Sequence, residues 1–135
     1  MNALHLIYTY LGSLATFLFL DLLWLGVIAK NYYRTQLQGI LSEGVNWPIA
    51  IVFYLLFVCG LIYFAVLPGV EAKSVSKALL NGALFGFFTY ATYELTNAAT
   101  ILSWPKQLIL VDLLWGVVLS CVVAFIGFQI LKSLV

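Results

Sequence analysis

Charged side chains are scarce in this sequence: 8% of its 135 residues are Asp, Glu, Lys or Arg, whereas 64% are hydrophobic. The mean hydropathy is +1.11. A chain of this composition has too little polar surface to cover a water-soluble globule, so we predict that it folds in a lipid bilayer. There is no basic stripe and no glycine-rich phosphate loop, and we therefore expect no nucleic-acid partner.

Histidine and cysteine are also rare. The single histidine, His5, is expected to be solvated near a membrane boundary. One histidine argues against haem with two axial imidazoles and against the Glu-x-x-His pattern of di-iron sites. Cys59 and Cys121 form no Cys-x-x-Cys pattern, so we expect small apolar residues rather than a disulfide or a metal pair. No serine–histidine or cysteine–histidine pair is available for covalent catalysis.

Four apolar stretches are long enough to cross a hydrocarbon core of roughly 30 Å, which takes about 20 helical residues. The predicted fold is all-α, a four-transmembrane-helix bundle that forms one domain over 1–135, with spans at about 5–29, 47–68, 75–102 and 106–132. Residues that start or stop helices occur at these boundaries: Pro48, Pro68-Gly69, Ser74 or Ser76, and Pro105. The first span lacks a basic n-region and is too long for a cleaved signal peptide, so we expect it to stay in place.

The segment between the first two spans, KNYYRTQLQGILSEGVN, has a different pattern. Tyr33, Leu37, Ile40 and Leu41 recur at helical spacing among polar residues. This predicts a short amphipathic helix over 31–43, lying in the membrane interface above the acidic residues described below. A solvated loop is the alternative.

The orientation in the membrane is poorly determined by the sequence. Lysine and arginine are divided equally between the two predicted sides, so the positive-inside rule does not decide. The N-terminal amine weakly favours a cytoplasmic N-terminus, and a dual-topology protein is the alternative.

Three acids lie inside predicted spans. The only two aspartates each begin the string D-L-L-W, with Asp21 followed by Trp24 and Asp112 followed by Trp115, and the third acid is Glu94. A charged carboxylate at the bilayer centre costs at least roughly 2.5–3.5 kcal/mol. These acids are therefore expected to face the bundle interior, to pair, or to stay protonated.

The depth of the three acids indicates a common site. In an up-down-up-down bundle, the end of the first span, the end of the third and the start of the fourth lie on the same side. At 1.5 Å per residue, each carboxylate is displaced from its span centre by about 6–9 Å toward that side. The acids, with polar and aromatic neighbours on the same helix faces, form the predicted site: Asp21, Trp24, Tyr93, Glu94, Asn97, Asp112 and Trp115. In the alternative, they only fix helix register through hydrogen bonds.

Small residues and the other tryptophans predict packing and membrane contacts. Gly82-x-x-x-Gly86, preceded by Ala78, predicts a close-packing face for a helix of this chain or of a second copy. Trp47 and Trp104 lie at predicted span ends and are expected to be interfacial anchors.

Three strings together resemble a known bacterial family. They are D-L-L-W-L-G from Asp21, Y-E-L-T-N-A-A-T from Tyr93 and D-L-L-W-G from Asp112. The sequence resembles domain of unknown function 2177 over nearly its whole length, with one departure at Glu94, where the family pattern has the shorter aspartate. The resemblance implies a small multi-pass protein of the bacterial inner (cytoplasmic) membrane and carries over no activity.

Three functions fit these observations. The favoured one is a binding protein or transporter whose carboxylates hold a proton, a cation or a small ligand. The second is a small membrane enzyme acting on a lipid or apolar substrate, with a carboxyl group as general acid or base, or with a hard cation such as Mg²⁺ at Asp21, Glu94 and Asp112. The third is a structural subunit of a membrane complex. Four helices are few for a monomeric transporter, so we expect a homodimer.

Overall fold

The chain is all-helical. A computed structural model describes residues 1–135, and six α-helices and two π-helical segments follow one another in it: α1 (Ala3–Leu23), a π-helical segment (Trp24–Ile28), α2 (Lys30–Gln36), α3 (Trp47–Leu61), a second π-helical segment (Ile62–Val66), α4 (Leu67–Glu71), α5 (Val75–Thr100) and α6 (Lys106–Leu134). The two π-helical segments continue their neighbours without a break, so the helices form four long rods and one short helix.

Three rods are long and apolar enough to cross a membrane: Ala3–Ile28, Trp47–Glu71 and Lys106–Leu134. They confirm three of the predicted spans to within a few residues. The remaining rod, α5, is long enough at 26 residues, but its serine, threonine, asparagine and glycine residues make it less apolar. The fourth crossing therefore stays a prediction.

Capping residues set the starts of the long helices. The Ser74 side chain accepts a hydrogen bond of 3.2 Å from the Lys77 backbone N–H, which identifies Ser74 as the N-cap of α5. Asn46 caps α3 in the same way, and Pro48 occupies its first turn. Pro105 immediately precedes α6. The side chains of Ser74 and Asn46 each satisfy one of the free N–H groups of a first helical turn. A proline at a helix start has no backbone N–H that would need a partner.

Pro68 lies inside a rod and does not end it, so the predicted stop at Pro68-Gly69 was wrong by a few residues. The rod continues to Glu71, and the Phe64 carbonyl, which the proline leaves without its usual donor, has another hydrogen-bond partner. Pro68 has no N–H to donate to the Phe64 carbonyl four residues earlier. The Asn81 side chain of α5 donates to that carbonyl instead, at 2.9 Å.

The predicted amphipathic helix over 31–43 is shorter than expected. α2 gives way to a turn at Leu37, and the chain is irregular from there to the start of α3. Leu37 is buried against Trp104 and Leu108, and Ile40 packs against the same cluster. Most of the expected apolar face thus packs on the rest of the protein, whereas Leu41 is exposed, and the position of the segment in the membrane interface stays a prediction.

The closest helix pair is α5 and α6, and small residues allow it. A methyl group at Gly82 would lie 2.6 Å from Cβ of Ala124, and one at Gly86 would lie 2.6 Å from Oγ of Ser120. Ala78, the first residue of the pattern, is fully buried. The close-packing face predicted from Gly82-x-x-x-Gly86 is therefore confirmed, and its neighbour is a helix of the same chain.

The apolar core borders the candidate site. Phe17, Leu61, Leu119 and Val123 are fully buried in one cluster that joins α1, α3 and α6. Phe57 belongs to this cluster and also lines the cavity described below. The core thus fixes one wall of that cavity.

We predict that Gly86→Ala lowers the free energy of unfolding by about 1–3 kcal/mol, because the added methyl group would meet the Gly116 carbonyl and the Ser120 hydroxyl. The matched control is Gly26→Ala, where a methyl group meets nothing within 4 Å. Thermal unfolding in detergent, followed by circular dichroism, measures the difference. Equal Tm values for the two variants would contradict the prediction.

Candidate functional site

A cavity of about 530 Å³ lies between the end of α1, the α2 segment, the middle of α3, the second half of α5 and the start of α6. Asp21, Glu94 and Asp112 all line it. Its volume is within the range of about 300–1,000 Å³ that is usual for ligand pockets. The structure therefore brings together the three acids that were expected to share one level in the membrane.

Helix register points the acids inward and their leucine neighbours outward. Asp21 is 4%, Glu94 0% and Asp112 7% exposed. Leu22 and Leu114 of the two D-L-L-W strings, by contrast, are about half exposed on the outer surface. The repeated string thus places an acid on the buried face of each helix while the leucines provide surface for lipid.

A hydrogen bond connects the two D-L-L-W strings, from the tryptophan of the second to the aspartate of the first. The indole N–H of Trp115 donates a hydrogen bond of 3.1 Å to Oδ1 of Asp21, so the tryptophan of the second string serves the aspartate of the first. Trp115 also stacks on Trp24, with ring centroids 4.6 Å apart and an interplanar angle of 11°. Tyr54 of α3 lies beside the same carboxylate.

The reverse connection, from Trp24 to Asp112, passes through Tyr33 of α2. The Tyr33 hydroxyl donates to Oδ1 of Asp112 at 2.6 Å and accepts a hydrogen bond of 3.1 Å from the Trp24 indole. Burial, and then the hydrogen bond to the Asp112 carboxylate, raise the pKa of the Tyr33 hydroxyl above its ordinary value of about 10. Tyr33 therefore stays a proton donor throughout the physiological range.

Glu94 has one partnered and one free oxygen. The Trp104 indole donates to Oε2 at 2.8 Å, whereas Oε1 is buried and has no hydrogen-bond donor. The Asp112 carboxyl group lies beside it, within hydrogen-bonding reach. Trp104 was expected to be an interfacial anchor, and that expectation was wrong: the ring is only 8% exposed and cannot lie among lipid head groups.

Two of the predicted site residues do not line the cavity. Trp24 is half-buried behind Trp115 and acts through Tyr33, as described above. Asn97 is half-buried on α5, outside the cavity. Tyr93, in contrast, lines the cavity as predicted, with its ring edge-to-face against Trp104.

The sequence analysis missed most of the aromatic wall. The residues it did not assign to the site are Leu25, Tyr33, Leu37, Phe53, Tyr54, Phe57, Thr89, Tyr90 and Leu108. Tyr90 could have been found, because it is four residues before Glu94 and shares its helix face. The α3 residues lie in a continuous apolar run with no polar neighbour, so no pattern distinguished them from lipid-facing positions.

The chemistry of the lining is acidic and aromatic. No lysine, arginine or histidine lines the cavity. No group of three or more histidine, cysteine, aspartate or glutamate side chains is arranged to hold a metal ion. The carboxylates thus share a cavity without surrounding one point, and they offer no preformed coordination site for the hard cation considered at Asp21, Glu94 and Asp112.

Comparison with known proteins identifies the family. A family model described as predicted membrane protein, DUF2177, matches residues 6–129. The chain belongs to this family. No curated protein and no solved structure matches the chain. The matched range contains all three acids, and it confirms both the resemblance drawn from the strings and the membrane nature of the DUF2177 chain.

We predict that Trp104→Phe lowers the free energy of unfolding by about 1–3 kcal/mol, because it removes the indole N–H that donates to Oε2 of buried Glu94. The control is Trp47→Phe, since Trp47 is 53% exposed. Chemical denaturation in detergent, followed by tryptophan fluorescence, compares the two variants. The structural role of Trp104 is refuted if Trp47→Phe costs as much.

A second prediction concerns the attachment of α2. Tyr33→Phe removes the hydroxyl that joins α2 to Asp112, so backbone amides of residues 30–41 should exchange with deuterium at least about fivefold faster. Tyr32→Phe is the control, because the Tyr32 hydroxyl makes only a longer bond of 3.3 Å to the Gln107 carbonyl. Mass spectrometry of deuterium uptake gives the rates.

The same experiment has a pH arm. Because the pKa of Tyr33 is raised, its hydroxyl is neutral in the folded and unfolded chain between about pH 5 and about pH 9. Ionisation of Tyr33 should therefore contribute no pH dependence to the difference between wild type and Tyr33→Phe in that range. A difference that vanishes within it would show that the hydrogen bond from Tyr33 to Asp112 is lost there.

Proposed function

We propose that this protein crosses the membrane four times and binds protons and a small ligand in the carboxylate cavity. The observation that supports this most directly is Oε1 of Glu94: it is buried and has no donor, it lies beside Asp112, and its residue lines a cavity large enough for a ligand. Buried polar atoms in folded proteins nearly always have a partner, so a buried carboxyl oxygen without a donor N–H, on a residue that lines a cavity, favours a binding role.

Topology supports the fourth crossing. Asp21 near the end of α1 and Asp112 near the start of α6 line the same cavity, so those two helix ends lie on one side. α3 starts on that side, and its rod ends at Glu71 on the other. α5 must return across the same thickness to reach α6, and at about 1.5 Å per residue its 26 residues are long enough.

The acidic residue of α5, Glu94, is compatible with a membrane-spanning helix. Glu94 is fully buried within the protein and therefore does not meet the lipid chains. Asn81, another polar residue of α5, is bonded to the Phe64 carbonyl. Polar side chains that face the protein interior are compatible with a membrane span.

The carboxyl pair supports proton binding. Glu94 and Asp112 are neighbours, and no cationic side chain lies in the cavity to neutralise them. Two like charges in a poorly hydrated site repel each other strongly, and the pair avoids this by sharing one proton. A ligand that donates a hydrogen bond to Oε1 of Glu94 would compete with that proton, which is the elementary step of proton-coupled binding or transport.

Binding is favoured over covalent catalysis by the residues available. No serine, cysteine or histidine lines the cavity. The hydroxyl of Thr89, the only aliphatic one there, donates to the Phe85 carbonyl of its own helix at 2.7 Å. The cavity thus contains no activated nucleophile, and acid–base chemistry of the carboxyl groups is the chemistry that it offers.

The cellular setting is also part of the proposal. Membership of the family and the apolar helices support a multi-pass membrane protein, and we place it in the bacterial inner membrane. The small number of helices favours a homodimer. Because the Gly82-x-x-x-Gly86 face is occupied by α6 of the same chain, a second copy would use another surface.

Infrared spectroscopy of the reconstituted protein tests proton binding without a ligand. At about pH 7 the wild type should show the carbonyl band of a protonated carboxylic acid. Glu94→Gln should lose the band, because an amide at position 94 removes the partner that shares the proton with Asp112. Glu43→Gln, the same change in an exposed loop, should retain it. A wild type without the band, or a band unchanged in Glu94→Gln, would overturn the proposed function.

A further inference from the structure

The geometry points to a ligand class: we propose that the cavity binds a lipophilic organic cation, a protonated amine joined to an apolar body, which enters sideways from the bilayer between α3 and α5. This inference rests on the proposed function, since it names the ligand of the same cavity.

The charge of the lining selects a cation. Three carboxyl groups line the cavity and no lysine, arginine or histidine does. An anionic head group would meet only acids and the faces of aromatic rings, and its burial would lack a partner. A neutral head group would gain no charge interaction. A cationic head group is the one that this lining stabilises.

Oε1 of Glu94 can take its hydrogen bond either from a proton shared with Asp112 or from a ligand that replaces that proton. Oε1 accepts a hydrogen bond from no protein donor, whereas Oε2 is already held by the Trp104 indole. An ammonium group has up to three N–H donors and no acceptor, so it can bond to Glu94 and to its neighbour Asp112 together. A quaternary ammonium group has the charge but no N–H, which makes the protonated amine the better match.

Aromatic rings form the walls around the acids. Phe53, Tyr54 and Phe57 come from α3, and Tyr90 and Trp115 face them from α5 and α6. The faces of such rings attract cations, and their edges and faces also bury an apolar body. The walls thus fit both parts of a lipophilic amine.

The mouth of the cavity faces the lipid. α3 meets α5 at Phe57 and Gly60, which both contact Phe85. Nearer the start of α3 the lining is open: Phe53 is 44% exposed, and Tyr93 on α5 is 55% exposed. On a surface that faces lipid, this opening gives access to molecules dissolved in the bilayer, which favours ligands with an apolar body.

Three ligands that differ only in the head group test the inference: phenylbutylamine, phenylbutanol and phenylbutyrate, which are cationic, neutral and anionic at about pH 7. Equilibrium dialysis against protein in nanodiscs, with empty nanodiscs as the blank, gives the three Kd values. The amine should bind at least about tenfold more tightly than the alcohol, and the carboxylate more weakly than either. Methylammonium, which lacks the apolar body, should bind at least about tenfold more weakly than phenylbutylamine.

Matched variants locate the interaction. Glu94→Gln should reduce the affinity for phenylbutylamine by about tenfold and that for phenylbutanol much less, because the amide oxygen still accepts a hydrogen bond from the alcohol whereas the amine loses its charge interaction. Glu43→Gln removes one exposed charge from the same side of the protein and should change neither. Should Glu94→Gln fail to elute as a single species, the ranking of the three ligands on the wild type remains a complete test.

The outcomes separate this inference from the proposed function. If the alcohol binds as tightly as the amine, or if none of the ligands binds while the protonated carboxyl band is present, the amine is the wrong ligand class and the proton site stands. If the band is absent, the proposed function fails first. Tight binding of the carboxylate would overturn the charge argument directly.

Discussion

The structure depends on giving each buried carboxyl group a hydrogen-bond donor from outside its own helix. In a low-dielectric interior an unpartnered acid costs far more than the packing of one residue can return. The donors are aromatic N–H and O–H groups, whose rings also bury apolar surface. Three pairs result: Trp115 with Asp21, Tyr33 with Asp112, and Trp104 with Glu94. The first two join different helices, and the third joins α5 to the loop before α6.

This pairing makes the fold and the cavity inseparable. Trp115 holds α1 against α6, and Tyr33 holds α2 over the start of α6. The first π-helical segment begins at Trp24, three residues after Asp21, and its wider turn reorients the side chains that follow. Such segments are frequent at functional sites. The acids are thus positioned by long-range contacts, and loss of one donor would loosen both a helix and a wall of the cavity.

Among the carboxyl oxygens of the three acids, Oε1 of Glu94 is outside this scheme, and the proposed binding role rests on it. A network that only fixed helix register would be most stable with every buried polar atom satisfied. Oε1 of Glu94 is instead left without a donor beside a second carboxyl group. Natural proteins accept such local costs mainly at functional positions. The combination of this oxygen with a cavity lined by aromatic rings and three carboxyl groups is the basis of both proposals above.

The sequence by itself determined the membrane class, the starts of α3, α5 and α6 and the common level of the acids, because hydropathy, caps and a rise of 1.5 Å per residue are local properties. It could not assign the donors. Trp104 was predicted to be an interfacial anchor and Tyr54 was assigned no role, since an indole or phenol looks the same in the sequence whether it faces lipid or a carboxylate. Only the tertiary structure decided that Trp115 donates a hydrogen bond to Asp21 and that Trp24 is linked to Asp112 through Tyr33. The reason is that helix rotation and the path of α2 are set by packing between elements far apart in the chain.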